Sequence, residues 1–181
     1  MIRKEGVWDM NTLWDNIFKV RPQKADEVER IVMQIPVFQE LNKRELKMLK
    51  RILYQREYKS SEVIFSQGDA GLGMYIVLKG KISIRCDPDN HQIAEMNEGD
   101  FFGELALLDD SPRSATAIST TPSTVLCFFK PELLDILSRY PKTGCKILFR
   151  LAWTTGERLK SMNEQILMLK CARERSPGTD G

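Results

Sequence analysis

A glycine, a carboxylate and an arginine lie close together in residues 99–117, whose sequence is GDFFGELALLDDSPRSATA. Gly103 carries no Cβ, so a ligand can approach its backbone closely. Residues 104–108 predict one short helical turn, and the N–H groups that begin a helix form a natural anion site. Arg113 follows a short loop, and its guanidinium can bind two phosphate oxygens at once, which a lysine cannot do. The stretch therefore predicts a binding site for a phosphate group.

Glu104 belongs to the same stretch but cannot bind the phosphate itself, because an ionised carboxylate only accepts hydrogen bonds and repels an anion. It becomes useful if it accepts a hydrogen bond from a ribose hydroxyl, a pairing that dinucleotide-binding folds also use. A cyclic phosphodiester carries one negative charge, which one arginine and a few backbone N–H groups neutralise without excess. Ser114 can donate a further hydrogen bond to that phosphate. These residues fit the ribose and phosphate of a cyclic nucleotide.

This stretch resembles the phosphate-binding cassette of the cyclic nucleotide-binding domain family, which includes the regulatory subunits of cyclic-AMP-dependent protein kinase and the bacterial catabolite activators. The family pattern F-G-E-[LIV]-A-L, then P-R-x-A, is present at residues 102–107 and 112–115 without departure. Residues 35–38, 65–69 and 74–80 also look like that family. By resemblance, Glu104 binds the ribose 2′-hydroxyl and Arg113 binds the cyclic phosphate. The other ligand-binding residues that the resemblance implies are Phe102, Gly103, Leu105, Ala106, Ser114 and Ala115.

The residue that follows Arg113 bears on the choice of base. In eukaryotic family members a threonine there favours cyclic GMP by bonding the guanine amino group, whereas the catabolite activators have a serine that faces the phosphate. Ser114 therefore favours cyclic AMP as the ligand, with cyclic GMP as the alternative. A further alternative is a degenerate module that binds nothing, in which Glu104 and Arg113 form a structural ion pair. Degenerate members usually lose one of these two residues, so their presence favours ligand binding.

Hydrophobic periodicity separates helical ends from a β-rich centre. The predicted segments are an N-terminal extension with a possible amphipathic helix (1–21), N-terminal helices (22–53), a β-barrel (54–130), C-terminal helices (131–175) and a disordered tail (176–181). The candidate strands are 55–59, 63–66, 74–79, 81–86, 92–96, 114–120 and 124–129. Gly80 predicts a tight hairpin between two of them. Together with the resemblance, this predicts a mainly β fold with flanking helices: an eight-stranded β-barrel or jelly roll (double-stranded β-helix), a short cassette helix and a long C-terminal helix.

The last predicted helix carries an apolar seam with the spacing of a coiled coil. Its members are Leu148, Ala152, Thr155, Leu159, Met162, Ile166 and Leu169. The seam favours a homodimer through this helix, and the alternative is a stripe that packs on the chain's own barrel. Arg158 and Asn163 flank the seam. If the helix closes over the cassette, Asn163 is positioned to bond the adenine of the ligand.

Composition argues against several other functions. The 181 residues carry a net charge of +2, which gives no reason to expect a nucleic acid or a membrane as partner. His91 is the single histidine, and the four cysteines are far apart, so we expect no metal and no enzymatic activity. No secretory signal or long apolar run is present, so we expect a cytoplasmic protein. The preferred interpretation is a stand-alone, bacterial-like sensor that signals to an unknown effector protein. The alternative is a truncated or divergent transcription regulator of the catabolite activator type.

Overall fold

The computed structural model describes the backbone of residues 25–175 and the side chains of residues 28–171. The predicted extension 1–21 and tail 176–181 lie outside the described residues. The helices are α1 (Ala25–Gln34), a 3₁₀ helix (Pro36–Phe38), α2 (Lys43–Lys50), a second 3₁₀ helix (Glu104–Leu107), α3 (Lys130–Arg139) and α4 (Pro141–Arg175). The exposed Gly156 lies within α4, which continues through it. No helix in the described part of the chain has both the length and the hydropathy needed to cross a membrane.

Within residues 25–175, eight strands form two antiparallel sheets, which confirms the predicted jelly roll. The strands are β1 (Tyr54–Tyr58), β2 (Val63–Phe65), β3 (Gly73–Lys79), β4 (Ile82–Cys86), β5 (His91–Met96), β6 (Phe101–Phe102), β7 (Thr116–Ser119) and β8 (Ser123–Phe129). One sheet has the order β1-β8-β3-β6 and the other β2-β7-β4-β5. The seven candidate strands correspond to seven of these eight. Strand β6 has only two residues, too few for an alternating pattern, and no candidate strand covered it.

The hairpin predicted at Gly80 is wrong. Strand β3 pairs with β6 and β8, whereas β4 pairs with β5 and β7, so the chain crosses from one sheet to the other at this glycine. Gly80 has a φ of 91°, and a Cβ there would overlap the side chain of Ser123. A turn residue marks a change of chain direction, but it does not specify that the flanking strands pair.

The two faces of β3 point into two different cores, because side chains alternate across a strand. Met74 and Ile76 lie in a core that joins the first sheet to the helices. Tyr75 and Val77 lie in the core between the two sheets. The first sheet is therefore covered on both faces, which makes it the rigid support for the residues that follow β6.

The first half of α4 is held against the N-terminal helices. Asn42 and Glu45 form a capping box at the start of α2. The Glu45 carboxylate also accepts hydrogen bonds from Thr143 (2.9 Å) and from Lys146 Nζ (2.8 Å). Ile147 and Leu151 are fully buried beside these contacts. One carboxylate therefore caps α2 and fixes the position of α4.

The second half of α4 lies clear of the barrel. Leu159 and Met162 are each 59% exposed, and Leu169 is 71% exposed. The alternative that this part of the seam packs on the chain's own barrel is therefore wrong for the described residues. From Arg158 to Arg175 the helix extends by roughly 25 Å at about 1.5 Å per residue.

Replacing Glu45 by glutamine tests the anchoring of α4. Burial acts to raise the pKa of Glu45, but hydrogen bonds from Lys146, the Asn42 backbone and Thr143 together lower it below its ordinary value of 4.5. A lowered pKa stabilises the folded state above the unfolded pKa, and that contribution is lost as the pH falls through the folded pKa. We expect Glu45→Gln to cost about 1 kcal/mol in the free energy of unfolding at neutral pH.

Urea denaturation at neutral pH and below pH 4.5 measures this difference, which should shrink at the lower pH. Glu40→Gln, at an exposed carboxylate close in the chain, is the control and should leave stability unchanged. A Glu45→Gln penalty that is independent of pH would contradict the ionic part of the account.

Candidate functional site

A cavity of about 440 Å³ opens between the second 3₁₀ helix, the start of β7 and α4. Eight of the nine residues predicted as ligand-binding line it: Phe102, Gly103, Glu104, Leu105, Ala106, Arg113, Ser114 and Ala115. The remaining lining residues are Phe65, Ile84, Met96, Asp109, Ser111, Pro112 and Arg158. The structure thus brings the two halves of the sequence motif to one concave surface.

Gly103 forms the bend that makes this surface possible. Its φ of 71° is left-handed, which favours glycine, and it directly precedes the 3₁₀ helix that Glu104 begins. A Cβ on Gly103 would lie 2.6 Å from Arg113 Nη1. The glycine therefore permits both the backbone conformation and the close approach of the arginine.

Arg113 is a buried cation that is held by neutral groups. It is 7% exposed, and it donates from Nη1 to the Gly103 carbonyl (2.9 Å) and from Nη2 to the Gly73 carbonyl (2.7 Å). Its Cζ lies 4.2 Å from the centre of the Phe65 ring. Burial lowers the pKa of Arg113, although Tyr75 opposes this shift. An arginine nevertheless stays charged at neutral pH.

The Nε atom of Arg113 is buried and has no hydrogen-bond partner in the described part of the chain. Among the described residues, no carboxylate forms an ion pair with Arg113 within 4 Å. A buried charge without a counter-charge and a buried donor without an acceptor are both costly. The site is therefore arranged to gain from an anion beside this guanidinium.

Glu104 lies in the same cavity and pairs with a different arginine. Its Oε1 accepts a hydrogen bond from Arg158 Nη1 at 2.6 Å, and the side chain is 10% exposed. Arg158 also donates to the Phe101 carbonyl (3.1 Å) and stacks on the Phe101 ring. The direct Glu104–Arg113 ion pair of the degenerate alternative is thus not formed. Each residue has its own partners.

From the sequence, Arg158 was placed only beside the apolar seam and was not predicted to belong to the site. It reaches the cavity because the first half of α4 is fixed against the domain, and no local motif encodes that path. Asn163 is exposed and does not line the cavity in this arrangement. It lies five residues beyond Arg158, roughly 7.5 Å further along the helix. A contact between Asn163 and a bound base therefore requires α4 to move, and it stays a prediction.

Three aromatic rings support the floor of the cavity. Tyr75 stacks on Phe102 with 5.4 Å between ring centres, and Phe65 lies 5.5 Å from Tyr75. Burial raises the pKa of Tyr75, so its hydroxyl stays protonated. These rings fix the position of the Arg113 guanidinium, which lies over Phe65 and near Tyr75.

The described residues contain no group of three or more His, Cys, Asp or Glu side chains that could hold a metal ion. The cavity is lined instead by two guanidinium groups, two carboxylates and two hydroxyls, which belong to Arg113, Arg158, Glu104, Asp109, Ser111 and Ser114. Such a set binds an anion and a sugar hydroxyl without a metal.

Comparison with known proteins agrees with this geometry. Residues 55–140 match the family model of the cyclic nucleotide-binding domain. The chain is 32% identical over 131 residues to the cAMP-dependent protein kinase type II regulatory subunit of Drosophila melanogaster, covering 71% of this chain and 35% of that protein. It is also similar to the crystal structure of the Thermus thermophilus catabolite activator protein, with 28% identity, a TM-score of 0.66 and coverage of 75% and 63%.

A cyclic nucleotide-binding domain from Methylobacillus flagellatus shares the fold, with 24% identity, a TM-score of 0.69 and coverage of 86% of each chain. Residues 55–140 therefore belong to the cyclic nucleotide-binding domain family, which is non-catalytic. The chain spans about a third of the length of the Drosophila subunit that it matches.

Gly103→Ala tests the close contact between this glycine and Arg113. Gly99→Ala is a matched control, because Gly99 also has a positive φ of 87° but a Cβ there would meet nothing within 4 Å. Both variants should lose about 1 kcal/mol from backbone strain. Gly103→Ala should lose at least about 1 kcal/mol more, because it also displaces Arg113. Chemical denaturation of the two variants measures the difference, and equal losses would contradict the contact.

Proposed function

We propose that this chain is a regulatory sensor that binds a purine 3′,5′-cyclic monophosphate, cyclic AMP in preference to cyclic GMP, in the 440 Å³ cavity. The observation that carries the proposal is the buried Arg113 guanidinium, whose described partners are neutral carbonyls and whose Nε has none. The phosphate of the nucleotide supplies both the missing charge and the missing acceptor.

The phosphate lies against the Gly103 bend in this proposal. Arg113 donates from Nε, and the backbone around Gly103, Leu105 and Ala106 contributes N–H groups. Ser114 is exposed at the edge of the cavity and donates from its hydroxyl. A single negative charge is then matched by a single guanidinium, so no further cation is needed.

The ribose lies beside Glu104. Its carboxylate has two oxygens, of which Oε1 already accepts from Arg158, and the 2′-hydroxyl donates to this carboxylate. Binding therefore either shares the carboxylate between the two donors or displaces Arg158. In both cases the ligand changes the one described contact between the Glu104 side chain and α4.

The choice of cyclic AMP rests on two supports. Ser114 occupies the position where a threonine would favour guanine in eukaryotic family members. The Drosophila relative is by its name a cAMP-dependent regulatory subunit. Phe65, Ile84 and Met96 line the cavity and offer apolar walls to either purine base.

Isothermal titration calorimetry with cyclic AMP tests this proposal. We expect Arg113→Lys to weaken binding at least about tenfold, because a lysine cannot reproduce charge-assisted hydrogen bonds from a planar fork. Glu104→Gln should weaken binding by a similar factor, because it removes the charged acceptor for the ribose 2′-hydroxyl. Arg139→Lys and Glu98→Gln, at exposed sites away from the cavity, are controls that should bind normally.

Absence of cyclic AMP binding by the intact chain would contradict the proposal. Tighter binding of cyclic GMP than of cyclic AMP would contradict the assignment of the base. Normal affinity in Glu104→Gln would contradict only the role given to the carboxylate.

The output of the sensor is the position of α4 relative to the barrel. Ligand shifts this position through Arg158 only to the extent that it binds one arrangement more tightly than the other. The exposed half of α4 then presents its seam to a second copy of the chain, which makes the homodimer part of the proposal. Leu159, Met162, Ile166 and Leu169 form that seam, and all four are at least 46% exposed in the single chain.

Sedimentation velocity tests the dimer. We expect Ile166→Asp to convert a dimer to a monomer, because it places a charge in an apolar helix contact. Leu167→Asp is the matched control: Leu167 is also apolar and 60% exposed, but it lies outside the seam. A wild-type chain that sediments as a monomer with and without cyclic AMP would contradict the dimer.

The similarity to a catabolite activator supports a second candidate function, that of a divergent transcription regulator. That function requires a DNA-reading module, such as a helix-turn-helix, in addition to the described elements. A gel-shift assay with and without cyclic AMP distinguishes it from a sensor that acts through a protein partner.

A further inference from the structure

A second cavity of about 410 Å³ lies at the other end of the aromatic cluster. Tyr75 lines it with one part of its ring, and the same ring stacks on Phe102, which lines the first cavity. Its remaining walls include Tyr54, Tyr58 and Phe129. The volume falls in the range of small-molecule sites, and aromatic walls are typical of them.

Two buried polar atoms in the walls of this cavity have no hydrogen-bond partner among the described residues. They are the Tyr58 hydroxyl and Glu132 Oε2. The Tyr58 side chain is almost fully buried, with the residue only 3% exposed. Burial raises the pKa of Tyr58, so its hydroxyl is a donor. The Glu132 carboxylate lies beside Tyr54, whereas the Tyr58 hydroxyl is a donor that the described protein does not satisfy, which is unusual for a buried polar group.

The charges around this cavity balance. Glu132 contributes a carboxylate, and Arg56 contributes a guanidinium that lies 4.7 Å from the centre of the Tyr58 ring. Since the two charges have opposite signs, the cavity favours a neutral occupant over an ion. Cys127 also lines it, but burial raises the pKa of this thiol to about 12, so the thiolate is not available.

We propose that this second cavity binds a small neutral aromatic molecule that carries a hydroxyl or a comparable hydrogen-bond acceptor. The aromatic body lies against Tyr54, Tyr75 and Phe129, and the polar group accepts a hydrogen bond from the Tyr58 hydroxyl. The site is separate from the proposed nucleotide site, because the two cavities share no lining residue.

Saturation-transfer NMR and calorimetry with 2-naphthol test the proposal, with naphthalene as the probe that lacks the polar group. We expect 2-naphthol to bind, and Tyr58→Phe to weaken it between about 3-fold and 10-fold by removing one hydrogen bond. Without ligand, Tyr58→Phe should not lower the melting temperature, because the hydroxyl has no partner to lose. Leu72→Trp, at a wall residue that is 62% exposed, should block binding by filling the cavity. Leu134→Trp, at a similarly exposed leucine on α3, is its control.

The same variants separate this site from the nucleotide site. Glu104→Gln should weaken the binding of cyclic AMP but not that of 2-naphthol. Tyr58→Phe should weaken the binding of 2-naphthol but not that of cyclic AMP. The proposal is overturned if 2-naphthol does not bind the wild-type chain, or if it binds Tyr58→Phe and Leu72→Trp normally. It is equally overturned if Tyr58→Phe destabilises the ligand-free protein by the loss of a hydrogen bond, since the hydroxyl then has a partner within the chain.

Discussion

The guanidinium of Arg113 is a positive charge in a largely dehydrated place, and the cassette is organised around that cost. Two carbonyls, those of Gly103 and Gly73, partly compensate the lost hydration, and Phe65 provides a ring face. The carbonyl of Gly103 points correctly only because the residue adopts a left-handed φ. Neutral acceptors compensate a buried cation less well than an anion does. The fold therefore carries a local electrostatic deficit, and in the proposed function a phosphodiester removes this deficit on binding.

The same region connects the ligand site to α4 through a small number of polar contacts. Glu45 fixes the first half of the helix, and Glu104 holds it through Arg158 where it leaves the barrel. These two carboxylates differ in position, because Glu45 lies among the N-terminal helices whereas Glu104 faces the cavity. A ligand that competes for Glu104 can thus alter the second half of α4 without disturbing the anchored half. In the proposed sensor, this division lets a rigid jelly roll report on binding without a rearrangement of its sheets.

The residues of the cassette could be predicted from the sequence because they lie close together in it. Glu104 and Arg113 are nine residues apart, and the glycine that shapes the bend lies beside them. Most strands were predictable for a similar reason, since alternation needs only five or six residues. Arg158 was not assigned because it joins Glu104 across 54 residues, and its position depends on how α4 packs. The sheet crossing at Gly80 was missed because pairing partners are set by the whole topology. The second cavity, which Tyr58 lines, likewise could not be predicted. Its walls come from β1, β3, β8 and α3, and no local sequence pattern shows that these elements meet.

A crystal structure of the wild-type chain with cyclic AMP tests the central claim most directly. The account predicts a cyclic phosphate within hydrogen-bond distance of Arg113 Nε and the Gly103 bend, with the ribose 2′-hydroxyl on Glu104. A nucleotide bound elsewhere, or bound in this cavity with its phosphate away from Arg113 and Nε still without an acceptor, would contradict it.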